Sequence, residues 1–190
     1  MTKNNHQFLI ALGSNIGLAT SRPVDIIKEA IIEISKSGII LKSLSRFYET
    51  PAYPNGSGPN FVNSVVKAEA NYSAHAILQK LHKIEEKFER QRNSRWSART
   101  LDLDLLALEE QVLPSKEVFQ YWCDLPLSEQ KKKTPSELLL PHPRIQDRAF
   151  VLLPLLDIEP NWLHPILNKT ALQLYQELAE QTKKNIQTVQ

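Results

Sequence analysis

Apolar positions along this chain recur with two periods, and the switches between them outline a succession of strands and helices. Residues 7–12 form a short apolar run closed by Gly13-Ser14-Asn15, which predicts a first strand and a tight turn. Val24, Ile27, Ile31 and Ile34 then fall at helical spacing behind Pro23, so an amphipathic helix is expected up to Gly38. Residues 39–48 alternate loosely and read as a second strand. Residues 50–59 hold three prolines and two glycines, which predicts a loop, and its length suits a binding loop. A third strand covers residues 61–68, with Phe61, Asn63 and Val65 on one face. Ser73 reads as the N-cap of a second helix whose core stripe is Ile77, Leu81, Ile84 and Phe88. His82, Glu85 and Glu89 draw a polar line along its edge.

Residues 101–108 predict a fourth strand, and Glu109-Glu110-Gln111 a hairpin turn after it. From about 115 to 136 the pattern changes: Pro126, Pro135, the run Lys131-Lys132-Lys133 and the exposed-looking pair Tyr121-Trp122 point to a surface insertion. Order resumes at Leu138, through Pro141-His142-Pro143-Arg144 and Arg148-Ala149-Phe150-Val151, where Arg144 and Arg148 at spacing four would share a helical face. Thr170-Ala171-Leu172-Gln173 opens the last predicted helix as a capping box.

Composition narrows the class. With 190 residues, 42% of them hydrophobic and 23% charged, a single globular domain over 1–190 is expected. A net charge of +2 is too mild to argue by itself for nucleic acid or membrane binding. One cysteine, Cys123, leaves no internal disulfide framework, and no apolar run approaches a membrane span, so a cytoplasmic protein is expected. All five glycines lie before residue 59, and none belongs to a phosphate-binding glycine loop. A bound nucleotide would have to be held by side chains.

Those side chains are concentrated in one stretch. Arg90, Arg92, Arg95 and Arg99, four of the eight arginines, fall with Trp96 inside ten residues and lead into Leu101-Asp102-Leu103-Asp104. On a strand, Asp102 and Asp104 share one face while the leucines share the other. Two such carboxylates repel one another unless a divalent cation takes up their charge, and carboxylate, water and phosphate oxygens are how Mg²⁺ is held beside a nucleotide. Guanidinium groups supply the complementary half, since their forked donors match phosphate oxygens. Asn63 is either tied to its surroundings or offers an amide edge to a ligand, and His142, fixed between two prolines, is either a turn residue or a ligand contact.

Together these pieces resemble the 6-hydroxymethyl-7,8-dihydropterin pyrophosphokinases of the folate pathway. The resemblance rests on Ala11-Leu12-Gly13-Ser14-Asn15, Tyr48-Glu49-Thr50-Pro51, Pro59-Asn60-Phe61-Val62-Asn63, Arg99-Thr100-Leu101-Asp102-Leu103-Asp104 and Leu140-Pro141-His142-Pro143-Arg144, in order along the chain. It implies an α/β (α+β) fold: a three-layer sandwich with a central antiparallel sheet on a ferredoxin-like core and helices on both faces. It further implies transfer of pyrophosphate from ATP to the pterin hydroxymethyl group, releasing AMP, with two Mg²⁺ held by Asp102 and Asp104. Arg90, Arg92, Arg99, His142 and Arg148 would clamp the phosphates, with Glu85 and Trp96 beside the nucleotide. Phe61 and Phe150 would sandwich the pterin ring, Asn63 would pair with its amide edge, and Thr50, Pro51, Tyr53, Trp96 and Asp102 would complete its site. Partners would be these small molecules, with no nucleic acid or membrane; a monomer is expected, and the sequence leaves an oligomer open. Glu89 and Ser97-Ala98 depart from the family pattern. A silent paralogue that binds nucleotide or pterin without turnover is the alternative reading.

Overall fold

A computed structural model describes residues 5–17, 21–52, 58–88, 100–126, 129 and 133–189. Its elements run β1 (His6–Ser14), α1 (Pro23–Lys36), β2 (Ile40–Leu44), β3 (Tyr48–Thr50), β4 (Phe61–Ala70), α2 (Ala74–Lys87), β5 (Asp102–Leu108) and α3 (Lys116–Asp124). After a short 3₁₀ turn (Ile145–Asp147) come α4 (Ala149–Ile158), α5 (Ala171–Glu177), α6 (Glu180–Lys183) and β6 (Gln187–Thr188).

All strand pairs are antiparallel and form one six-stranded sheet ordered β5-β1-β4-β3-β6, with β2 paired to the far stretch of β4. Placing β1 and β4 at the centre fits the expected ferredoxin-like order. Alternation along the strands sorts their buried apolar side chains into two cores, except at the β5 bulge, where Leu106 and Ala107 fall on the same side. Phe8, Ile10, Leu12, Val62, Val66, Leu103 and Leu105 pack with Ile27, Ile34, Ile77 and Leu81 of α1 and α2. Leu9, Val65, Leu106 and Ala107 pack with Val151, Leu152 and Leu155 of α4 and Leu174 of α5. The result is three layers, helix, sheet and helix, as anticipated.

Caps fix the helix starts where the sequence placed them. Ser73 accepts a hydrogen bond from the Ala76 N–H (3.3 Å), and Thr170 and Gln173 form the reciprocal box at α5. Three features differ from expectation. Residues 39–48 are two strands, because Ser45 breaks the run: its N–H donates to the Val65 carbonyl (3.0 Å) while its hydroxyl accepts the Val65 N–H (2.9 Å) and meets Ser64 Oγ (2.9 Å). A side chain there replaces a ladder carbonyl, and the strand bends. The insertion carries a helix, α3, with Phe119 fully buried. Beyond the last expected helix, α6 leads to β6, which adds to the outer edge of β3.

Candidate active site

The face of the sheet on which α4 packs carries the chemistry at the end where β1 finishes and β5 begins. Cross-strand register sets a row: Asp102 of β5 lies opposite Gly13 of β1, which lies opposite Asn63 of β4, which lies opposite Tyr48 of β3. One step away, Asp104 lies opposite Ala11, itself opposite Val65. Directly opposed residues share a face, and neighbouring strands stand about 4.8 Å apart. Asp102 and Asn63 are therefore separated by one strand that carries no side chain at Gly13.

That gap is a slot with defined walls. A Cβ on Gly13 would lie 3.3 Å from Asn63 Oδ1, 3.9 Å from Asp102 Cβ and 4.0 Å from Phe61 Cδ1. Asn63 and Thr50 are both buried, and Asn63 Nδ2 donates to Thr50 Oγ1 at 2.8 Å. This bond uses one of the amide's two N–H groups and fixes the direction of its carbonyl, so the structural and ligand-facing readings of Asn63 are compatible. At the rim, Asn60 Nδ2 donates to Glu49 Oε1 (2.7 Å) and Asn15 Nδ2 to the Pro59 carbonyl (3.2 Å), fastening the end of the proline-rich loop. Phe150, in the first turn of α4, remains 38% exposed, with the Arg148 guanidinium 5.6 Å from its ring centre. An exposed phenyl at a helix start lacks a core to fill.

Beside Asp104 stands a cationic and imidazole pair. The His142 N–H donates to the Leu106 carbonyl (2.7 Å), which fastens the Pro-His-Pro turn to β5 two residues past Asp104. His142 Nδ1 accepts the Arg144 N–H (3.1 Å), and its Nε2 faces the Arg148 guanidinium, with Nη1 at 3.4 Å. Burial, and then the charge of Arg148, hold this imidazole well below the usual histidine range. Nε2 lies 4.0 Å from Asp104 Oδ2, and Arg148 Nη1 lies 3.3 Å from the same oxygen. About a third of the Asp104 side chain is open to solvent, so the carboxylate is paired without being sealed in.

Arg144 does not join Arg148. A 3₁₀ turn with three residues per turn separates them, and positions four apart then point in different directions. Arg144 pairs with Asp147 (2.7 Å) and lines a cavity of about 460 Å³ with Lys169 and Glu177, among whose walls are none of Asp102, Asp104, His142 or Arg148. Glu85 is not part of a solvated helix edge either. It is 1% exposed, and its Oε1 accepts the Leu103 N–H at 2.8 Å, tying α2 to the strand of acids. Pro51 follows β3 and is half-buried. Tyr53, Glu89, Arg90, Arg92, Trp96, Ser97, Ala98 and Arg99 lie outside the described residues.

Among the described residues no cluster of three or more metal-ligating side chains occurs. The available donor set is the pair Asp102 and Asp104, hard oxygens on one sheet face, with Asp104 about a third open to solvent and Asp102 Oδ1 buried. That set fits Mg²⁺ whose remaining positions are filled by water and phosphate, and it does not fit a closed structural zinc site. Among the described residues no helix is long and apolar enough to cross a membrane. Reading the sequence did not single out Gly13 or the Thr50 hydroxyl as walls of a slot. A glycine closing an otherwise apolar strand was the available signal.

Comparison with known proteins points in one direction. The family model for 7,8-dihydro-6-hydroxymethylpterin-pyrophosphokinase (HPPK) matches residues 9–160. A 2-amino-4-hydroxy-6-hydroxymethyldihydropteridine pyrophosphokinase of Synechocystis sp. is 34% identical over 175 residues, covering 91% of this chain and 76% of that protein. One of the same name from Aquifex aeolicus is 31% identical over 162 residues, covering 84% of each. Among solved structures, wild-type HPPK-DHPS of Plasmodium falciparum superposes with a TM-score of 0.67 at 15% identity, over 97% of this chain and 48% of that one, so this chain spans about half its length.

Proposed function

As a member of the HPPK family, and hence a pyrophosphokinase of folate synthesis, this chain, we propose, moves pyrophosphate from ATP to the hydroxymethyl group of 6-hydroxymethyl-7,8-dihydropterin, leaving AMP. The observation that carries this reading is the adjacency of two half-sites on one sheet face. Gly13, Asn63, Thr50 and Phe61 form a flat polar slot. Asp104, Arg148 and His142 form a polyanion site two residues further along the strand.

Each group has a task in that reaction. The pterin ring lies on the Gly13 floor, with its amide edge against Asn63 and its faces against Phe61 and Phe150. Thr50 holds the Asn63 amide in the orientation that reads this edge. Phosphate oxygens take the place of Asp104 at the Arg148 guanidinium, which is free to turn because the pair is open to solvent. Once Arg148 turns to phosphate, Nε2 of the neutral His142 ring is released to donate to the same oxygens. Asp102 and Asp104 would hold Mg²⁺, which supplies charge neutralisation of the phosphates. Glu85 supports the acid strand from beneath, beside the nucleotide. Arg90, Arg92 and Arg99 complete the clamp, Trp96 meets both substrates and Tyr53 the pterin. Catalysis is then positioning and electrostatics, because phosphoryl chemistry asks little covalent work of the protein. We assign the chain to the cytoplasm as a single-domain monomer.

AMP release from ATP plus the pterin alcohol, with and without Mg²⁺, tests the proposal. Asp102→Ala and Asp104→Ala are expected to abolish AMP formation while far-UV circular dichroism stays unchanged. Near-normal turnover in either variant would remove the metal-ligand assignment. Tight binding of both substrates by the unmodified protein without AMP would establish the silent paralogue instead.

A further inference from the structure

The insertion after β5 reaches back to the turn that carries His142. Phe119 of α3 has no solvent exposure and stands edge-on to His164 (5.5 Å between ring centres, 60°), which is edge-on to Trp162 (5.6 Å, 68°). This anchors α3 on the body of the protein. At the other end of the helix, Cys123 Sγ lies 3.4 Å from the Pro143 carbonyl oxygen. Burial pushes this thiol up to about 11, so it keeps its proton and donates.

Backbone accounting shows why that carbonyl matters. In the turn, the Ile145 N–H goes to the His142 carbonyl and the Asp147 N–H to the Arg144 carbonyl. The Pro143 carbonyl between them is satisfied by side chains: Gln146 Nε2 donates to it at 2.9 Å, alongside the Cys123 thiol. Gln146 Nε2 also lies 3.6 Å from Cys123 Sγ, which binds the two donors into one cluster. Gln146 Oε1 is buried, with no hydrogen-bond partner among the described residues. The side chain therefore bears a desolvation cost at one end and contributes only through its donor end.

Pro143 is the link between His142 and Arg144; the Arg144 N–H donates to His142 Nδ1, and Arg148 Nη1 stands 3.4 Å from Nε2 of the same ring. We propose that Cys123 and Gln146 are positioning residues: α3 braces the Pro143 carbonyl, and so holds the His142 imidazole and Arg148 toward the phosphate site beside Asp104. This rests on the phosphate-binding role given to that turn. The insertion is then a support for nucleotide binding.

Calorimetry with α,β-methylene ATP plus Mg²⁺, and separately with the pterin alcohol, tests the brace in the full-length chain. Gln146→Met removes the donor at similar volume, Cys123→Val removes the thiol donor, and Cys123→Ser keeps a donor. Gln146→Met and Cys123→Val are expected to weaken nucleotide binding about five- to tenfold each, the loss of one hydrogen bond in a positioned site. Pterin affinity should stay within twofold, and the KM for ATP should rise more than kcat falls. Cys123→Ser should bind nucleotide like the unmodified chain. Unchanged nucleotide affinity in Gln146→Met, or equal losses for both ligands, or a serine variant as weak as the valine, overturns the brace. Should Cys123→Val fail to fold, Gln146→Met at its partly exposed position decides the matter alone. An unmodified protein that binds no nucleotide overturns the functional reading itself.

Discussion

Replacing Gly13 by alanine asks whether the slot between Asp102 and Asn63 is a binding surface or only a gap in the sheet. Two contributions bear on stability. Alanine is favoured over glycine in a strand by roughly 0.5–1 kcal/mol, because glycine loses more backbone freedom on folding. Against this, the new methyl would sit 3.3 Å from Asn63 Oδ1, so one of the two must give by a few tenths of an ångström. Asn63 cannot retreat freely, being tied to Thr50 Oγ1 at 2.8 Å. The two nearly cancel, and the unfolding free energy from urea melts should change by less than about 1 kcal/mol. Binding has no such compensation. The methyl occupies the floor on which a flat heterocycle would rest and turns the amide that reads its edge, a loss of one well-formed buried hydrogen bond, about 1–3 kcal/mol. That corresponds to roughly ten- to hundredfold weaker pterin binding. Nucleotide affinity should change less than threefold, since His142 and Arg148 are not among the atoms meeting the new methyl. Equilibrium titration of Gly13→Ala with each ligand separately provides the measurement. A folded variant with undiminished pterin affinity would refute the slot, and equal losses for both ligands would refute the division into two half-sites.

Two further expectations concern the scaffold. Burial lowers the His164 pKa to about 4, with Nδ1 accepting the Ile166 and Leu167 N–H groups, so the folded protein keeps this ring neutral while the unfolded chain protonates it near 6.5. Its contribution is fully present above pH 6.5 and is lost as pH falls toward 4, on the order of 3 kcal/mol in total. Urea melts at pH 7 and 4.5 should show this slope, and His164→Asn should flatten it; an unchanged slope in the variant would contradict the assignment. Tyr48 is buried and its hydroxyl donates to both Asp157 oxygens (3.0 and 2.9 Å), joining β3 to α4, so Tyr48→Phe should cost about 1–2 kcal/mol in the same melts at pH 7, and no measurable loss would show that Arg46 alone suffices.

Much of this was legible along the chain wherever a period or a cap is local. The Ser73 and Thr170 caps, the stripe Ile77-Leu81-Ile84 and the shared face of Asp102 and Asp104 need only their own neighbours to be read. What escaped depends on partners distant in sequence. Ser45 breaks a strand only because Val65 and Ser64 stand opposite it. Glu85 is buried because the Leu103 N–H needs an acceptor there, which no helical periodicity announces. Arg144 parts from Arg148 because a 3₁₀ turn replaces the expected α-helical one. Phe119 looked like one apolar residue in a proline-rich insertion until His164, 45 positions later, supplied the surface it fills.

The ladder between β1 and β5 slips by one residue between Leu9 and Ile10, where Ile10 faces Leu105 and Leu9 faces Ala107. Upstream of that slip, parity alone decides which β5 side chains meet solvent and which meet helices α1 and α2. Removing or adding a single codon between Leu101 and Leu105 would exchange the two sets, sending carboxylates inward and leucines outward. Length variation in this part of the polypeptide is therefore tolerable only after the strand has ended, which is where the segment bearing α3 enters.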